Sequence, residues 1–524
     1  MKKFLLFTIF MAPFLFQSQV SLVKDINPTG DSNPSDFTEL NGVLYFKASD
    51  MNSVNLELWR TDGTNAGTYL VKDLNTSASS NPTGLFAFNN KIYFKAGGSL
   101  YNSDGTDSGT ILFKTSQFLY EPYFTELNNE LYYARHFASG QRGLFKFDGT
   151  TETQLSTAFE VRYLIKYASA NKIVFQSDGT TSQDWEIWLS DGTSSGTNEL
   201  ADISYGNSLG SDAKDFFEVN GKVFFTAFGD SNIGRELYVT DGTTSGTVLL
   251  KNINPTVTVT NAANSNPNNF TLFNNKLYFT ANDATNGDEL WVSDGTEIGT
   301  QMVLDLYPGS TGSIPSNLFV FNNALYFSAD HPTLGREVFK CTTSNTVTNL
   351  KNISSGSGSS NPSNFTEYNG KLYFVAEDPV NGRELWSSTG FNSTTNLLVD
   401  INSGSGSSNP NNLAVMGTNL FFSADDGVSG TGIELYKYQD PSLSVNDVEL
   451  ENSISLYPNP TKTSFSIENK EIISSVTVID MLGKTVKIFK HNVEAYSIDD
   501  LKSGLYFINI TTEKGKVTKK LVKE

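Results

Sequence analysis

A short hydrophobic triplet recurs through most of the sequence at a nearly constant interval. Its nine copies begin at Leu44, Ile92, Leu131, Ile173, Val223, Leu277, Leu325, Leu372 and Leu420. The mean spacing of about 47 residues lies within the repeat lengths of known propellers. The apolar runs are short, rich in aromatic and β-branched residues, and bounded by Gly, Asn, Ser or Pro, so they predict strands. Helical solenoid repeats need longer runs with helical periodicity and do not match.

Each repeat is predicted to contain four strands. In residues 268–307 the predicted strands are Asn269 to Phe273, Lys276 to Ala281, Asp288 to Ser293 and Thr300 to Tyr307. Paired asparagines separate the first two strands, and asparagine readily supplies the positive φ that a tight hairpin requires. Four antiparallel strands per repeat are typical of a propeller blade.

The two ends of the repeat region complement each other. Residues 21–26 copy the fourth strand at residues 69–74 without three strands before it, and the last repeat breaks off near Asp440 after three strands. A spare strand that completes the last blade would close the ring and remove its exposed edge. The sequence therefore predicts an all-β fold, a closed β-propeller of about nine four-stranded blades. The count is eight if one irregular unit between residues 97 and 200 is not a blade.

Composition excludes several classes of partner. The 524 residues carry a formal net charge of −19, and an acidic surface repels phosphate backbones, so we expect no nucleic-acid partner. Cys341 is the single cysteine and the three histidines are scattered. These residues cannot form an intramolecular disulfide or a thiolate zinc cluster, and we expect no metal and no cofactor.

The N-terminal segment has the layout of a secretory signal peptide. Lys2 and Lys3 precede an apolar run from Phe4 to Phe16, and polar residues continue to Gln19. We therefore predict a signal peptide over residues 1–19. No other stretch approaches twenty apolar residues, so no transmembrane anchor is expected.

Two acidic residues recur in the repeats and are candidates for either structure or chemistry. The first is the Asp of an Asp-Gly-Thr turn, found at Asp62, Asp104, Asp148, Asp191, Asp241 and Asp294. Its carboxylate can accept the backbone N–H two residues on, while the glycine adopts a positive φ. We favour this structural role over a calcium site, because the ligand spacing of a calcium-binding loop is missing.

The second recurring acid opens the predicted third strand, at Glu57, Glu186, Glu236, Glu289, Glu337, Glu384 and Glu434. A glycosidase needs one pair of catalytic carboxylates, whereas this glutamate appears in seven repeats. We therefore expect it to make an ion pair or a backbone hydrogen bond between neighbouring units.

The predicted topology also indicates where a partner would bind. The loops from the second to the third strand and from the fourth strand to the next unit share one rim. Arg235, Asp288, Arg336 and Arg383 lie at that rim and are the predicted binding residues. Recognition often resides in loops on a rigid scaffold, and a solvated loop surface is the alternative.

Residues 57–64 and 289–296 read Glu-Leu-Trp, two further residues, then Asp-Gly-Thr. This pattern resembles the ELWxxDGT repeat family of secreted bacterial proteins, and the likeness covers roughly residues 20 to 440. The resemblance implies repeats and export but no particular activity or ligand. Several repeats depart from it, because Leu100 and Leu144 lack the preceding glutamate.

The periodicity ends after a predicted linker, and the remaining residues read as a small β-sandwich. The predicted strands are Phe465 to Glu468, Val476 to Met481, Thr485 to Phe489, Leu505 to Thr511 and Lys516 to Val522. About 75 residues are enough for such a unit to fold alone.

This C-terminal segment carries four motifs in order: Tyr457-Pro458-Asn459-Pro460, a turn with Gly483, a strand start at Gly504, and lysines near the end of the chain. It resembles the type A sorting domain of the type IX secretion system. The resemblance implies export across the outer membrane of a Bacteroidetes-type bacterium by that machinery. It also implies removal of the domain by a sortase-like peptidase, followed by attachment to lipopolysaccharide or release.

The predicted domains are a signal peptide at 1–19, a propeller at 20–440, a linker at 441–453 and a sorting domain at 454–524. The first functional hypothesis is a secreted or cell-surface interaction module, an adhesin or a binder of glycans or proteins. A polysaccharide-active enzyme on a propeller scaffold and a purely structural surface protein are the alternatives. The sequence contains no nucleophile elbow, phosphate-binding glycine loop or metal motif, so we expect no enzyme activity.

Overall fold

The structure is a computed structural model that describes most of the chain. The described residues are 20–50, 55–76, 78–115, 121–136, 142–158, 160–179, 184–204, 210–229, 233–256, 263–443, 454–468, 473–480, 484–489, 493–512 and 515–524. The predicted signal peptide, most of the predicted linker and Gly483 lie outside these ranges. The described chain divides into two compact units, Val20–Lys437 and a C-terminal unit that begins at Tyr438.

The described part of the first unit forms nine four-stranded antiparallel sheets. Strand β1 is Val20–Lys24, and eight sheets follow in chain order. Sheet 1 contains β2 (Ser35–Leu40), β3 (Val43–Ser49), β4 (Leu56–Thr61) and β5 (Tyr69–Lys72); sheet 2 contains β6 (Thr83–Phe88), β7 (Lys91–Ala96), β8 (Ser99–Ser103) and β9 (Ile111–Lys114); sheet 3 contains β10 (Thr125–Leu127), β11 (Glu130–Arg135), β12 (Gly143–Phe147) and β13 (Glu152–Gln154). Sheet 4 contains β14 (Val161–Tyr167), β15 (Lys172–Ser177), β16 (Glu186–Ser190) and β17 (Thr197–Ala201); sheet 5 contains β18 (Lys214–Val219), β19 (Lys222–Phe228), β20 (Arg235–Thr240) and β21 (Val248–Lys251).

The remaining sheets of this unit continue the same pattern. Sheet 6 contains β22 (Asn268–Phe273), β23 (Lys276–Asn282), β24 (Asp288–Ser293) and β25 (Gln301–Leu304); sheet 7 contains β26 (Ser316–Phe321), β27 (Ala324–His331), β28 (Gly335–Thr342) and β29 (Val347–Lys351); sheet 8 contains β30 (Ser363–Tyr368), β31 (Lys371–Asp378), β32 (Gly382–Ser388) and β33 (Asn396–Val399). Sheet 9 contains β34 (Asn411–Met416), β35 (Asn419–Asp425), β36 (Ile433–Tyr438) and β1. Two single 3-10 turns, Ala168–Ala170 and Asn392–Thr394, interrupt this pattern.

Strands within each sheet are paired in chain order, and sheet 9 is the exception. Its order is β1, β36, β35, β34, so the first strand of the chain lies beside the last strand of the repeat region. This is the pairing that the spare N-terminal strand predicts. The all-β class is confirmed, and the irregular region between residues 97 and 200 contributes four-stranded sheets like the others.

Asparagine-containing hairpins join the first two strands of many sheets, because asparagine readily adopts the positive φ that these tight turns require. Asn274 and Asn275 have φ values of 50° and 57°, and Asn41 has a φ of 54° followed by Gly42 at 77°. These left-handed conformations match the twist of a two-residue hairpin, and asparagine and glycine adopt them at low energy.

Each sheet packs its faces against its neighbours. Between sheets 5 and 6 the buried core contains Phe224, Leu237, Phe279 and Trp291. The same kind of core joins sheet 9 to sheet 1, where Leu435 of β36 and Met416 of β34 pack with residues of β3 and β4. Burial on both faces explains why aromatic residues occupy consecutive positions in the second strand.

The fourth strand of sheet 6 is shorter than its sequence predicts. We predicted a strand to Tyr307, but β25 ends at Leu304. The backbone N–H of Tyr307 donates instead to the Glu289 carboxylate, at 3.1 Å. A backbone group bound to a side chain cannot continue the strand ladder, so the chain turns away at this point.

The described part of the C-terminal unit contains two sheets around one core. A three-stranded sheet is formed by β37 (Ser455–Tyr457), β38 (Ser464–Glu468) and β41 (Tyr496–Ser497), and a four-stranded sheet by β39 (Ile473–Ile479), β40 (Thr485–Phe489), β42 (Gly504–Thr512) and β43 (Gly515–Lys523). Phe465 and Tyr496 from the first sheet pack with Val476, Ile508 and Ile510 from the second. Two sheets sharing a core is the arrangement of a β-sandwich.

Candidate functional site

The candidate site is the set of inter-sheet loops, each running from the fourth strand of one sheet to the first strand of the next. In sheet 6, Glu289 reaches this loop from the start of β24. Its carboxylate accepts the N–H of Tyr307 at 3.1 Å, the N–H of Ser313 at 2.9 Å and the Ser313 hydroxyl at 2.5 Å. Three donors from one loop therefore bind one buried side chain, which fixes the loop to the sheet that precedes it.

The same arrangement, called here the Glu–Ser clamp, is present in seven sheets of the described chain. The pairs are Glu57–Ser80, Glu186–Ser211, Glu236–Ser265, Glu289–Ser313, Glu337–Ser360, Glu384–Ser408 and Glu434–Ser32. All seven glutamates are at most 1% exposed. Burial raises the pKa of each carboxyl, to about 7 for Glu186 and Glu434, because the charged form loses hydration.

The clamp of Glu434 joins the two ends of the repeat region. Its carboxylate accepts the N–H of Ile26 at 2.8 Å, the N–H of Asn27 at 3.2 Å and the hydroxyl of Ser32 at 2.7 Å. These groups are about 400 residues away in sequence but occupy the place that the next loop occupies in other sheets. The N-terminal segment is therefore bound to sheet 9 as any inter-sheet loop is bound to its preceding sheet.

The serine partner was missed by the sequence analysis, although the sequence contains a signal for it. Ser-Asn-Pro recurs at residues 32–34, 80–82, 265–267, 360–362 and 408–410, always shortly before a first strand. The serine binds the glutamate, and the asparagine adopts a positive φ, 46° at Asn361 for example. A glycine stands two residues before the glutamate in five of the seven clamps, with Asn55 and Asp184 in the other two. A Cβ on Gly382 would lie 2.1 Å from the Gly406 oxygen of the adjacent loop.

Two predicted rim arginines bind the loop that enters their own sheet. Arg383 donates to the carbonyl oxygen of Asn361 at 2.8 Å and to the hydroxyl of Ser363 at 2.6 Å. Arg336 donates to the carbonyl oxygen of Ile314 and the hydroxyl of Ser316, and pairs with Asp330 at 3.3 Å. Successive side chains of a strand point to opposite faces, so the arginine holds the loop before its sheet and the adjacent glutamate holds the loop after it.

The other two predicted rim residues differ from each other. Arg235 is 6% exposed, pairs with Asp212 and lies 4.2 Å from the ring centroid of Phe228. Burial lowers the pKa of its guanidinium. Asp288 has the same position in sheet 6, and its carbonyl oxygen accepts the N–H of Ile314 at 2.9 Å. The structure thus places these four residues at the inter-sheet loops. The guanidinium groups of the three arginines are bound within the protein. Contact of these residues with a partner stays a prediction.

The Asp-Gly-Thr turns close the hairpins between third and fourth strands. Asp294 accepts the N–H of Thr296 at 2.9 Å and its hydroxyl at 2.7 Å, and Thr296 in turn accepts the N–H of Gly299 at 3.0 Å. Gly295 has a φ of 85°. The same bonds surround Asp62 and Asp241, and these hydrogen bonds lower the pKa of all three carboxyls. The aspartate is therefore engaged in the turn itself.

Sheets 2 and 3 lack the clamp glutamate, and a network of charges joins them. Glu152 on β13 accepts from Lys114 of sheet 2 at 2.9 Å, and both of its carboxylate oxygens accept from Nη1 of Arg135 at 3.2 Å. Tyr133 also donates its hydroxyl to this carboxylate, and burial raises the tyrosine pKa. Charged side chains here hold neighbouring sheets together where backbone groups do so elsewhere.

In the C-terminal unit the predicted sorting motif binds the last strand. Asn459 donates to the Lys520 carbonyl oxygen at 2.8 Å and accepts the N–H of Val522 at 2.9 Å. Both prolines, Pro458 and Pro460, follow cis peptide bonds, and Tyr457 is 53% exposed. Gly504 begins β42, opposite Lys523 of β43. The motif therefore lies directly beside the end of the chain.

No cluster of three metal-ligating side chains occurs among the described residues. Within those same residues we find no helix of the length and apolar character needed to span a membrane. Cys341 is fully buried, and burial raises the pKa of its thiol to about 11.

Residues 455–524 match the family model of the secretion system C-terminal sorting domain. This match confirms the predicted sorting domain. It indicates that the protein interacts with the type IX secretion machinery and is delivered to the outer surface or the extracellular space. No curated protein matches the chain.

Three solved structures illustrate what the chain is similar to. PorZ, a surface component of the type IX secretion system of Porphyromonas gingivalis, is 10% identical, with 93% of this chain and 75% of that chain covered and a TM-score of 0.34. A puromycin-hydrolyzing peptidase of Mycobacterium tuberculosis is 11% identical, with coverage of 68% and 60% and a TM-score of 0.34. The extracellular domain of a putative hybrid two-component system of B. thetaiotaomicron is 10% identical, with coverage of 93% and 74% and a TM-score of 0.32.

Proposed function

We propose that the protein is a surface-displayed or secreted interaction module, in which a closed nine-bladed propeller of ELWxxDGT-type repeats presents a loop rim to glycans or proteins. The sorting domain brings the repeat unit outside the cell. A sortase-like peptidase then removes that domain, and the repeat unit is attached to the surface or released.

Closure of the ring is supported by three contacts at one seam. Strand β1 completes sheet 9, Glu434 binds the N-terminal loop through Ile26 and Ser32, and sheets 9 and 1 share a buried core. The contacts between sheets 9 and 1 are of the same kind as the contacts between consecutive sheets. Sheet 1 therefore follows sheet 9 in the ring in the same way as each other sheet follows the one before it. A ring in which every sheet has its four strands leaves only short, protected edges, and these resist edge-to-edge aggregation, which suits a protein exposed outside the cell.

The observation that carries a binding function is the repeated use of the same acids in structure. Seven clamp glutamates bind backbone and serine donors in one geometry, and the Asp-Gly-Thr aspartates bind their own turns. Acids used in this way are not available as catalytic pairs, which need two carboxyls facing a substrate. A rigid ring whose loops are fixed at their bases presents the remaining loop atoms for recognition.

The test uses the purified full chain on a glycan array, on an array of extracellular proteins and against a panel of soluble polysaccharides. Binding to an array member, with no reducing ends released from any polysaccharide, is the expected result. Release of reducing ends would overturn the proposal in favour of an enzyme. Absence of binding on both arrays would overturn it in favour of a structural surface protein.

A further inference from the structure

A pocket between sheets 3 and 4 has a tryptophan in its wall, unlike the pocket of about 350 Å³ between sheets 5 and 6, whose lining residues do not include Trp291. The volume of the pocket between sheets 3 and 4 is about 360 Å³, and Trp188 of β16 forms one wall. The other lining residues are Gln154, Leu155, Ser156, Thr157, Ala158, Gly179, Ser194, Thr197 and Asn198. The volume lies within the range of small-molecule sites.

The indole of Trp188 is open to this pocket because sheet 3 carries smaller residues in its outgoing loop. Trp59, Trp291 and Trp386 occupy the same position as Trp188 in their own sheets, and each is 6% exposed. They pack against an isoleucine from the preceding loop, respectively Ile26, Ile253 and Ile353. Ser156 donates its N–H to the Leu144 carbonyl oxygen and so corresponds to Lys351, which is opposite Val338; two residues on, Ala158 therefore corresponds to Ile353, in the same core as Trp188. Because alanine has three carbon atoms fewer than isoleucine, the indole is left uncovered, and Trp188 is partly exposed.

A second substitution opens the same wall. Lys351 lies before Ile353 in the loop that covers Trp386, and its ammonium group is 5.9 Å from the indole centroid. The equivalent residue in sheet 3 is Ser156, whose hydroxyl accepts the N–H of Leu144 at 3.0 Å. The Ser156 side chain is too short to reach over Trp188. This indole therefore lacks counterparts of both Ile353 and Lys351, the two residues that lie against Trp386.

The indole of Trp188 also keeps an unused hydrogen-bond donor. In sheets 6 and 8 the indole N–H donates to a strand carbonyl, from Trp291 to Ala281 and from Trp386 to Ala376, both at 3.1 Å. The Trp188 N–H is buried and has no partner. Trp59 shares the unpaired N–H but has Ile26 packed beside it, so among the described tryptophans at this position Trp188 alone combines an unpaired N–H with a ring in the wall of a pocket. Because the nitrogen is buried, a ligand would meet the ring face and not the N–H.

The chemistry of the lining points to a neutral, hydroxyl-rich ligand. None of the ten lining side chains is charged. The amides of Gln154 and Asn198 each donate once to a backbone carbonyl oxygen, of Arg142 at 2.8 Å and of Ser195 at 2.9 Å, and each retains a second N–H and an oxygen. The Ser194 hydroxyl links the two walls by donating to the Gln154 carbonyl oxygen at 3.2 Å and can still accept. An indole face packs well against the C–H face of a sugar ring, while polar groups at the edge bind its hydroxyls.

We propose that this pocket binds one residue of a neutral glycan, stacked on Trp188. The inference rests on the proposed interaction function and names one ligand class and one place for it. An anionic glycan would find no cation among the lining residues, on a chain whose net charge is −19.

The test measures binding of neutral oligosaccharides built from glucose, galactose, mannose or N-acetylglucosamine to the full chain, by calorimetry and indole fluorescence. At least one is expected to bind at up to millimolar concentration and to change the fluorescence. Ala158→Ile restores the residue that covers the other tryptophans, and we expect it to weaken binding at least tenfold without lowering the urea midpoint. Trp188→Ala should abolish binding as well. Ala66→Ile, the same change at an exposed hairpin of sheet 1, is the matched control and should bind as the parent does.

The outcomes separate this inference from the proposed function. Equal binding by the parent and Ala158→Ile would overturn the assignment of this pocket as the glycan site and would leave the proposed interaction function in place. Binding to proteins alone on the arrays would have the same meaning. No binding to any oligosaccharide, glycan or protein would overturn both.

Discussion

Sheets 6 and 3 perform the same task, holding a loop between neighbouring sheets, with opposite chemistry. In sheet 6 a fully buried carboxylate, Glu289, is satisfied by backbone and serine donors of one loop. In sheet 3 a partly exposed carboxylate, Glu152, is satisfied by two cations and a tyrosine. Backbone donors fix the path of a loop, whereas flexible charged side chains leave the loop free to vary. Sheets 2 and 3 both lack the clamp glutamate; the charge network joins these two sheets, and the pocket lined by Trp188 lies between sheets 3 and 4.

The largest expected effect is at the clamp of sheet 6. Glu289→Ala leaves three donors without an acceptor, the N–H of Tyr307 and the N–H and hydroxyl of Ser313. We expect the free energy of unfolding to fall by about 3 kcal/mol, measured by urea denaturation. Ser313→Ala removes one donor and should lower it by about 1 kcal/mol. Equal losses for the two variants would show that the carboxylate does not hold the loop.

The next effect, at sheet 3, should differ in its response to salt. Glu152→Gln removes the charge that pairs with Lys114 and Arg135, and we expect a loss of about 2 kcal/mol at low salt. Because part of this network is exposed, high salt screens it, and the loss should shrink. The loss in Glu289→Ala should not change with salt. A salt-independent loss in Glu152→Gln would remove the contrast between the two sheets.

The clamps also impose a pH dependence, which is a slope in stability and not a fixed loss. The folded-state pKa of Glu434 is about 7, above the ordinary value of 4.5, so the folded chain retains a proton that the unfolded chain releases. The contribution of Glu434 to the free energy of unfolding is therefore greatest below about pH 4.5, and it falls as the pH rises to about 7. The slope is at most about 1.4 kcal/mol per pH unit for each such group.

Glu434→Gln provides the matched control for that slope. The amide has no proton to release, so the fall in stability between about pH 4.5 and about pH 7 should be smaller than in the parent. The measurement is the urea midpoint across this pH range. An unchanged slope would assign the pH dependence to other groups.

Much of the fold could be predicted from the sequence because its signals are local. The triplet at residues 277–279 and the asparagine pair at 274–275 specify two strands and a hairpin by periodicity and backbone preference. The sorting domain was recognised from motifs such as the one around Asn459, since each lies within a few residues of sequence.

The partners in the candidate site were less predictable. The recurring glutamates were predicted to contact a neighbouring unit, but their serine partners were not predicted. Ser313, for example, lies 24 residues from Glu289, and no local pattern connects the two. The arginines at 336 and 383 were predicted from topology to face a partner, and only coordinates show that their donors bind loop carbonyl and hydroxyl groups. Side-chain direction depends on packing at distance in sequence, which local patterns do not encode.

The sequence by itself determined that this protein is a repeated β structure followed by an export signal, because strand periodicity, turn residues and short motifs are written in consecutive residues. The tertiary structure decided which side chains meet: glutamate with a serine 23 or more residues away, the first strand with the last sheet, and Trp188 with an alanine in place of isoleucine. Those contacts depend on how sheets stack on one another, and stacking brings together residues that no local pattern relates.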